Sequence, residues 1–407
     1  MSEAVNASTL SEEIIERDFT YGARNYAPLP VVLSRGEGVF VWDVEGRRYY
    51  DMLSAYSALN QGHCHPRIVA AARQQMERLT LTSRAFHNDV MHRFLEKLCR
   101  LTGFQQALPM NSGAEAVETA IKAMRRWGYR VKGIPRDQAE IIVCRDNFHG
   151  RTTTIVSFST DPDAYEGFGP PTPGFRAIPY NDPAALEAAI SPRTCGFLVE
   201  PVQGEAGVKV PSPDYLTRVR EICTRRQVIF CADEIQTGLG RTGRIFCCEH
   251  AGVRPDLMIL GKALSGGLYP LSAIVCDREI MGVFEPGSHG STYGGNPLAC
   301  AIGIAALDVL VEERLAERAA EMGQYFLDRL RSLSHPKLKE VRGLGLLTAI
   351  EFTEPLAKTF CKKLKNNGVL AKDTHAVTVR FAPPLIITRE QLDEAFESIR
   401  RTLFELA

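Results

Sequence analysis

The 407-residue sequence has no excess of either charge: 48 Lys and Arg balance 48 Asp and Glu, and no long basic or acidic block occurs. A nucleic-acid-binding face or a polybasic membrane anchor needs such an excess, so neither partner is expected. Long hydrophobic runs are missing too. The most apolar helical stretch, "LACAIGIAAL", is too short to span a bilayer. The opening "MSEAVNASTLSEE" has neither an apolar signal core nor an arginine-rich amphipathic stretch. There is no internal repeat and no low-complexity tract. No glycine fingerprint for a dinucleotide follows an early strand. The eleven cysteines make no disulfide framework, being odd in number and scattered through apolar runs such as "IIVCRD", "VIFCADE" and "SAIVCDRE". They suit a reducing compartment, and a cytoplasmic location is expected. No metal site is expected: His63, Cys64 and His65 in "GHCHP" crowd too closely to share one ion, and no second ligand cluster follows.

What is present reads as an ordinary globular composition, 45% hydrophobic and 24% charged, on a chain long enough for two or three lobes. Residues 1–56 form an N-terminal segment with helix signals and a hairpin, "GVFVWDVEGRRYYDM", turning at "VEGRR". Over 57–302, short apolar runs ("EIIVCRD", "CGFLVEP", "QVIFCADE", "DLMILGK", "LSAIVCD") alternate with amphipathic helices such as "YLTRVREICTRRQ". This alternation predicts an α/β domain on a mostly parallel sheet. Residues 303–407 change pattern. One long charged helix, "ALDVLVEERLAERAAEMGQYFLDRLRSL", precedes "VRGLGLLTAIEF", another helix, a strand near "VTVRFAPPL" and a last helix, which reads as a smaller α+β domain.

Chemistry-bearing residues stand at the ends of the apolar runs. "VIFCADE" ends in Asp233 and Glu234, and "LMILGK" ends in Lys262. Open α/β sheets build ligand sites at these carboxyl ends. Taken singly, each is more often a structural charge at a sheet edge. Jointly they have a chemical meaning. A lysine amine can condense with an aldehyde cofactor, and a carboxylate can stabilise a protonated pyridine nitrogen, as pyridoxal phosphate requires. In "PMNSGAEAVETAIKAMRRWG", small residues Ser112, Gly113 and Ala114 open a helix whose N–H groups can cradle a phosphate, although a plain N-cap is the simpler reading. Ser291 and Thr292 in "HGSTYGGNP" offer hydroxyls, or merely form a loop before a helix. Phe148 in "DNFHGRT" is an aromatic able to cover a planar ring, or a core residue.

Five separated segments, "NSGAEA", "NFHGRT", "ADEIQTGLGRTG", "GKALSGG" and "GSTYGGNP", together resemble the class III (ω-) aminotransferases, pyridoxal-phosphate enzymes of fold type I. The resemblance implies a seven-stranded, mostly parallel sheet flanked by helices in the large domain. It implies that Lys262 forms the Schiff base, Asp233 partners the pyridinium nitrogen and Gln236 contacts the ring hydroxyl. Phe148 stacks on the ring, and Gly113 and Ala114 hold the phosphate. Thr292 reaches the phosphate bound by a neighbouring subunit, so a homodimer, or an assembly of dimers, is implied.

Within the family the likeness is strongest to members that use ornithine. It is carried by "YGARNYAPLP", "SAYSALNQGHCHP", "LTSRAF", "VEPVQGEAGV", "KALSGGLYP" and "RFAPPL". This implies transfer of the δ-amino group of L-ornithine to 2-oxoglutarate. Tyr26, Tyr56 and Arg151 match the positions that grip the α-amino and α-carboxylate end of the donor. Glu205 matches a gate residue, and Arg380 the arginine it covers. Read without the resemblance, Glu205 is a polar residue in a glycine-flanked turn, while Arg380 is unusual in interrupting an apolar strand. His149 departs from ornithine-using members that carry tryptophan there. Donors such as N-acetylornithine, 4-aminobutyrate or a diamine are the nearest alternatives. An aminomutase or an inactive scaffold of the same fold are more distant ones.

Overall fold

The computed structural model describes residues 9–406. The first eight residues of the N-terminal stretch, on which the expectation of no leader rests, lie outside the described residues. The chain opens with a helix, Leu10–Tyr21, capped by Thr9 and Glu12 in reciprocal hydrogen bonds. Strands β1 (Leu33–Glu37), β2 (Phe40–Asp43) and β3 (Arg48–Asp51) follow. The expected hairpin is β2–β3, with Gly46 supplying the positive φ of its turn.

The large sheet is built from β4 (Gln106–Met110), β5 (Glu140–Cys144), β6 (Phe175–Ile178), β7 (Thr194–Val199), β8 (Ile229–Asp233), β9 (Leu257–Leu260) and β10 (Ser272–Cys276). Its order is β4-β10-β9-β8-β7-β5-β6. β10 runs antiparallel to both neighbours, and the other pairings are parallel. All five apolar runs expected as strands are strands. β7, β8, β9 and β10 are buried along their whole length. Helices cover both faces, which is why these strands read as unbroken apolar runs. β4 and β6 have no such run: "QALPM" and "FRAI" are short and half-exposed.

The C-terminal part contains β11 (Leu338–Leu344), β12 (Leu347–Phe352), β13 (Val369–Leu370), β14 (Lys372–Thr374) and β15 (Thr378–Phe381). Four of them form an antiparallel sheet of order β11-β12-β15-β14. β13 leaves it and adds parallel to β3, so the sheet begun by the N-terminal segment is completed from the other end of the chain. The expected single helix over 306–333 is two helices, Pro297–Glu312 and Leu315–Arg331, broken where Arg314 takes a left-handed φ of 53°. No glycine or proline marks the break, so the charge pattern runs on through it. The first helix packs on helices Pro66–Met76 and Met91–Thr102, and the second on β11 and the last helix, Arg389–Phe404. Among the described residues no helix is long and apolar enough to cross a membrane.

Candidate active site

β4, β5, β7, β8 and β9 point their carboxyl ends to one edge of the large sheet. The segments that leave them line one cavity: Gly113 and Ala114 after β4, Phe148, His149 and Gly150 after β5, Glu200, Val202 and Glu205 after β7, Asp233, Ile235, Gln236 and Thr237 at β8, and Lys262 after β9. Seven of the expected site residues, Gly113, Ala114, Phe148, Glu205, Asp233, Gln236 and Lys262, are brought together here.

Lys262 does enter the core from a buried strand. Its backbone has φ of 46°, a left-handed conformation that turns the chain into the glycine-rich segment. Burial pulls its amine below the ordinary lysine range, while Glu205 and Asp233 oppose the shift. A depressed lysine carries a larger fraction of free amine at any given pH, the state a nucleophile or base needs.

Asp233 is 4% exposed. Its Oδ1 accepts from the N–H of Ile235 at 3.1 Å, and its Oδ2 meets His149 Nδ1 at 2.6 Å. Burial alone lowers the imidazole's affinity for a proton, but the hydrogen bond and charge of Asp233 outweigh it and raise the pKa. Glu200 lies close enough to add its charge to the pair, and its carboxylate accepts from the N–H of Phe148 at 2.9 Å. Burial pushes Glu200 up to about 7. Glu234, adjacent to Asp233, turns away from the cavity. It accepts from Thr237 Oγ1 and from the N–H of Cys248.

Behind the cavity wall, Arg380 is 1% exposed and pairs with the wall residue Glu205 through both terminal nitrogens, at 2.7 and 3.3 Å. Burial raises the Glu205 pKa, but Arg380 overrides it and holds the carboxyl below its ordinary value. Gln236 Nε2 also donates to Glu205 at 3.2 Å. The Arg380 guanidinium lies 5.1 Å from the Tyr56 ring centre. Tyr56 sits in a run of four left-handed residues, Ser54 to Ser57, which only a specific environment sustains. Asp51 Oδ1 anchors the run by accepting from the N–H groups of Leu53 and Ser54.

Tyr26, Arg151 and Thr292 do not line the cavity, and all three are exposed. Tyr26 lies near enough to influence the Tyr56 phenol. The Arg151 guanidinium is 5.8 Å from the Phe148 ring centre. The loop holding Thr292 is tied to the start of helix Gly113–Arg130 by Asn111 Nδ2 donating to Ser291 Oγ at 2.9 Å. Sequence reasoning passed over Glu200 and the contact of His149 with Asp233. Glu200 carries the same signal as Asp233, an acid directly after a buried strand. The His149 contact has no local signal.

Two unpaired buried atoms, Gln236 Oε1 and His149 Nε2, mark the cavity as polar and able to take a partner. The first N–H groups of an 18-residue helix open at Gly113 and Ala114, where an anion is favoured. An amine, a carboxylate and an aromatic ring complete the donor set. These residues fit an anionic aldehyde cofactor with a basic ring nitrogen. Among the described residues no group of three or more His, Cys, Asp or Glu is placed to hold a metal ion.

The family model "Aminotransferase class-III" matches residues 21–403. The chain therefore belongs to the class III aminotransferases, pyridoxal-phosphate enzymes of fold type I. It is 57% identical over 386 residues to an ornithine aminotransferase of Halalkalibacterium halodurans, covering 95% of this chain and 97% of that one. Among solved structures, an ornithine aminotransferase from Toxoplasma gondii superposes with a TM-score of 0.96 at 48% identity, covering 97% of this chain and 94% of that one. An acetylornithine aminotransferase from Elizabethkingia anophelis superposes with a TM-score of 0.91 at 54% identity, covering 98% of this chain and the whole of that one.

Proposed function

We propose that the chain moves the δ-amino group of L-ornithine to 2-oxoglutarate, giving glutamate 5-semialdehyde, which cyclises to pyrroline-5-carboxylate, and glutamate. The cofactor is pyridoxal 5'-phosphate, which acts as an electron sink when bound. The observation that carries the reading is the Glu205–Arg380 pair beside a cavity that also holds Lys262 and Asp233.

In this reading Gly113 and Ala114 would hold the phosphate through backbone N–H groups, Phe148 would cover the ring, and Gln236 would meet the ring hydroxyl. Asp233, held in place by His149 and by the Ile235 N–H, would face the ring nitrogen. Lys262 is the amine that would hold the cofactor's aldehyde, and its depressed pKa suits it to take up and return a proton beside the bound substrate. Thr292 serves the phosphate of a second copy, so the working unit is a homodimer or an assembly of dimers. The division into 1–56, 57–302 and 303–407 is kept as the domain scheme, with helix Pro297–Glu312 bridging the second and third parts. A cytoplasmic location is part of the same reading.

Substrate choice follows from charge. Ornithine presents a terminal amine, with its α end held remotely by Tyr26, Tyr56 and Arg151. It has nothing to neutralise Arg380, and leaving a buried guanidinium unpaired costs roughly 3–5 kcal/mol. Glu205 meets that need. 2-Oxoglutarate brings its own carboxylate to Arg380, and Glu205 then swings aside. Glu205→Ala is expected to shift preference from ornithine toward α-amino donors such as glutamate by about tenfold or more. Steady-state rates on both donors check this, and an unchanged ratio rejects the gate.

The likeness to an acetylornithine aminotransferase favours N-acetylornithine as the second reading. Tyr56 supports ornithine, because a phenol can meet a charged α-amino group that acetylation removes. A donor panel with 2-oxoglutarate as acceptor separates the two.

A further inference from the structure

Arg241 is the largest side chain in the protein that is completely buried, at 0% exposure. Among the described residues no carboxylate pairs with it. Burial presses its pKa down to about 9, with only the more distant charge of Asp51 opposing. Uncompensated buried guanidinium is expensive, so a specific set of contacts must hold it there.

Those contacts are three hydrogen bonds to three separate parts of the chain. Nη1 donates to the carbonyls of Leu346 at 2.9 Å and Pro383 at 2.6 Å, and Nη2 donates to Asn60 Oδ1 at 2.6 Å. Leu346 immediately precedes β12, and Pro383 follows β15. In the β12–β15 pairing Thr348 faces Phe381 and Ala349 faces Arg380. Continued by two steps, that register sets Leu346 opposite Pro383. One nitrogen therefore bridges both strands at the end of the pair that carries Arg380. The Leu346 N–H returns a bond to the Arg241 carbonyl at 3.1 Å. Asn60 Nδ2 donates to the Leu239 carbonyl at 2.8 Å, and the Leu385 N–H donates to the Asn60 carbonyl at 2.8 Å, closing the clasp. Gly345 packs so tightly on Thr242 that a side chain there has no room.

Arg241 belongs to the segment that leaves β8 and carries Gln236, whereas Arg380 belongs to the other sheet. We propose that Arg241 is a positioning residue. It holds the β12–β15 pair against the β8 segment and so keeps the Arg380 guanidinium at a set place over the cavity after Glu205 has moved away. The inference rests on Arg380 receiving the carboxylate of the oxoacid. Arg380 Nε has no partner of its own, and Glu205 is its only paired acid among the described residues. Once that acid leaves, the arginine's place depends on its strand.

The test separates the two half-reactions. Arg241→Met keeps length and apolar packing but removes every donor. Arg241→Lys keeps the charge without the planar fork. In Arg241→Met, KM for 2-oxoglutarate is expected to rise by about tenfold or more, while the single-turnover rate with ornithine stays within about threefold. The Kd for glutarate, an unreactive dicarboxylate, measured by calorimetry on the pyridoxal-phosphate enzyme, should weaken in parallel. Arg241→Lys should recover part of both. Asn60→Ala, which loosens one arm of the clasp, should give the same split at smaller size and serves if Arg241→Met does not fold. Equal losses in both half-reactions, or an unchanged glutarate Kd in a folded variant, overturn the proposal. A wild-type protein inert toward ornithine overturns the donor assignment instead, and leaves the glutarate comparison intact.

Discussion

Lys262→Ala is expected to lower turnover by about 10⁴-fold or more, because in the proposed mechanism one side chain serves both as the covalent anchor and as the proton carrier. The cavity wall explains the concentration of roles. Lys262 is the only lysine among the lining residues. Its depressed pKa keeps the amine poised to lose its charge. The variant should still take up cofactor, since Gly113, Ala114, Gln236 and Asp233 remain. It should lack the visible absorbance of the lysine-linked form. Persistence of that band in the purified variant, or turnover within tenfold of wild type, means that another amine does this work. Adding ornithine to the unaltered protein should bleach the band, and 2-oxoglutarate should restore it.

Asp233→Asn carries the second largest effect. The substitution keeps the shape and the hydrogen bond from the Ile235 N–H but removes the charge proposed to face the ring nitrogen. Loss of one well-placed buried charge is expected to cost about 10²–10³-fold in kcat. His149 responds in a definite direction. Its raised pKa depends on Asp233, so with asparagine at 233 burial prevails and the imidazole is neutral over a wider pH range. The sign follows from the shift. The stability contributed by the protonated His149 is fully present below the ordinary histidine pKa and is lost as pH rises through the higher folded value. The variant should therefore be flatter in stability across that interval, which thermal melts at several pH values can read. A variant with full kcat removes the ring-nitrogen role from Asp233.

Gly204→Ala has a smaller, local effect. Its new methyl group falls on the Gln236 side-chain oxygen, the far end of a flexible side chain, so Gln236 rather than the backbone yields. The expected result is weaker cofactor retention by about tenfold with little change in melting temperature. Dialysis followed by absorbance checks it, and unchanged retention frees Gln236 from the cofactor.

The strands at the centre of the sheet were readable because their signal is short-range. "VIFCA" and "LMIL" are apolar without interruption since both faces are covered, and the charged residue that follows each run marks the edge that bears the cavity. Asp233 and Lys262 were visible for that reason, and Glu200 carries the same mark. β4 and β6 stayed hidden because a short, half-exposed strand has no such contrast. The break at Arg314 stayed hidden because a left-handed backbone at a non-glycine residue is imposed by packing on two different partners, and leaves no letter behind.

Local pattern within ten or so residues was thus enough to establish the α/β class, the apolar strands and the charges at their ends. Contacts between distant parts of the chain were decided only in three dimensions. His149 meets Asp233 across two strands, Glu205 meets Arg380 across two sheets, and residues 60, 346 and 383 converge on the Arg241 guanidinium. Periodicity reports which face of an element is dry, because burial acts on each residue separately. It cannot report which loop end lies opposite which, because that follows from how the closed chain fills space.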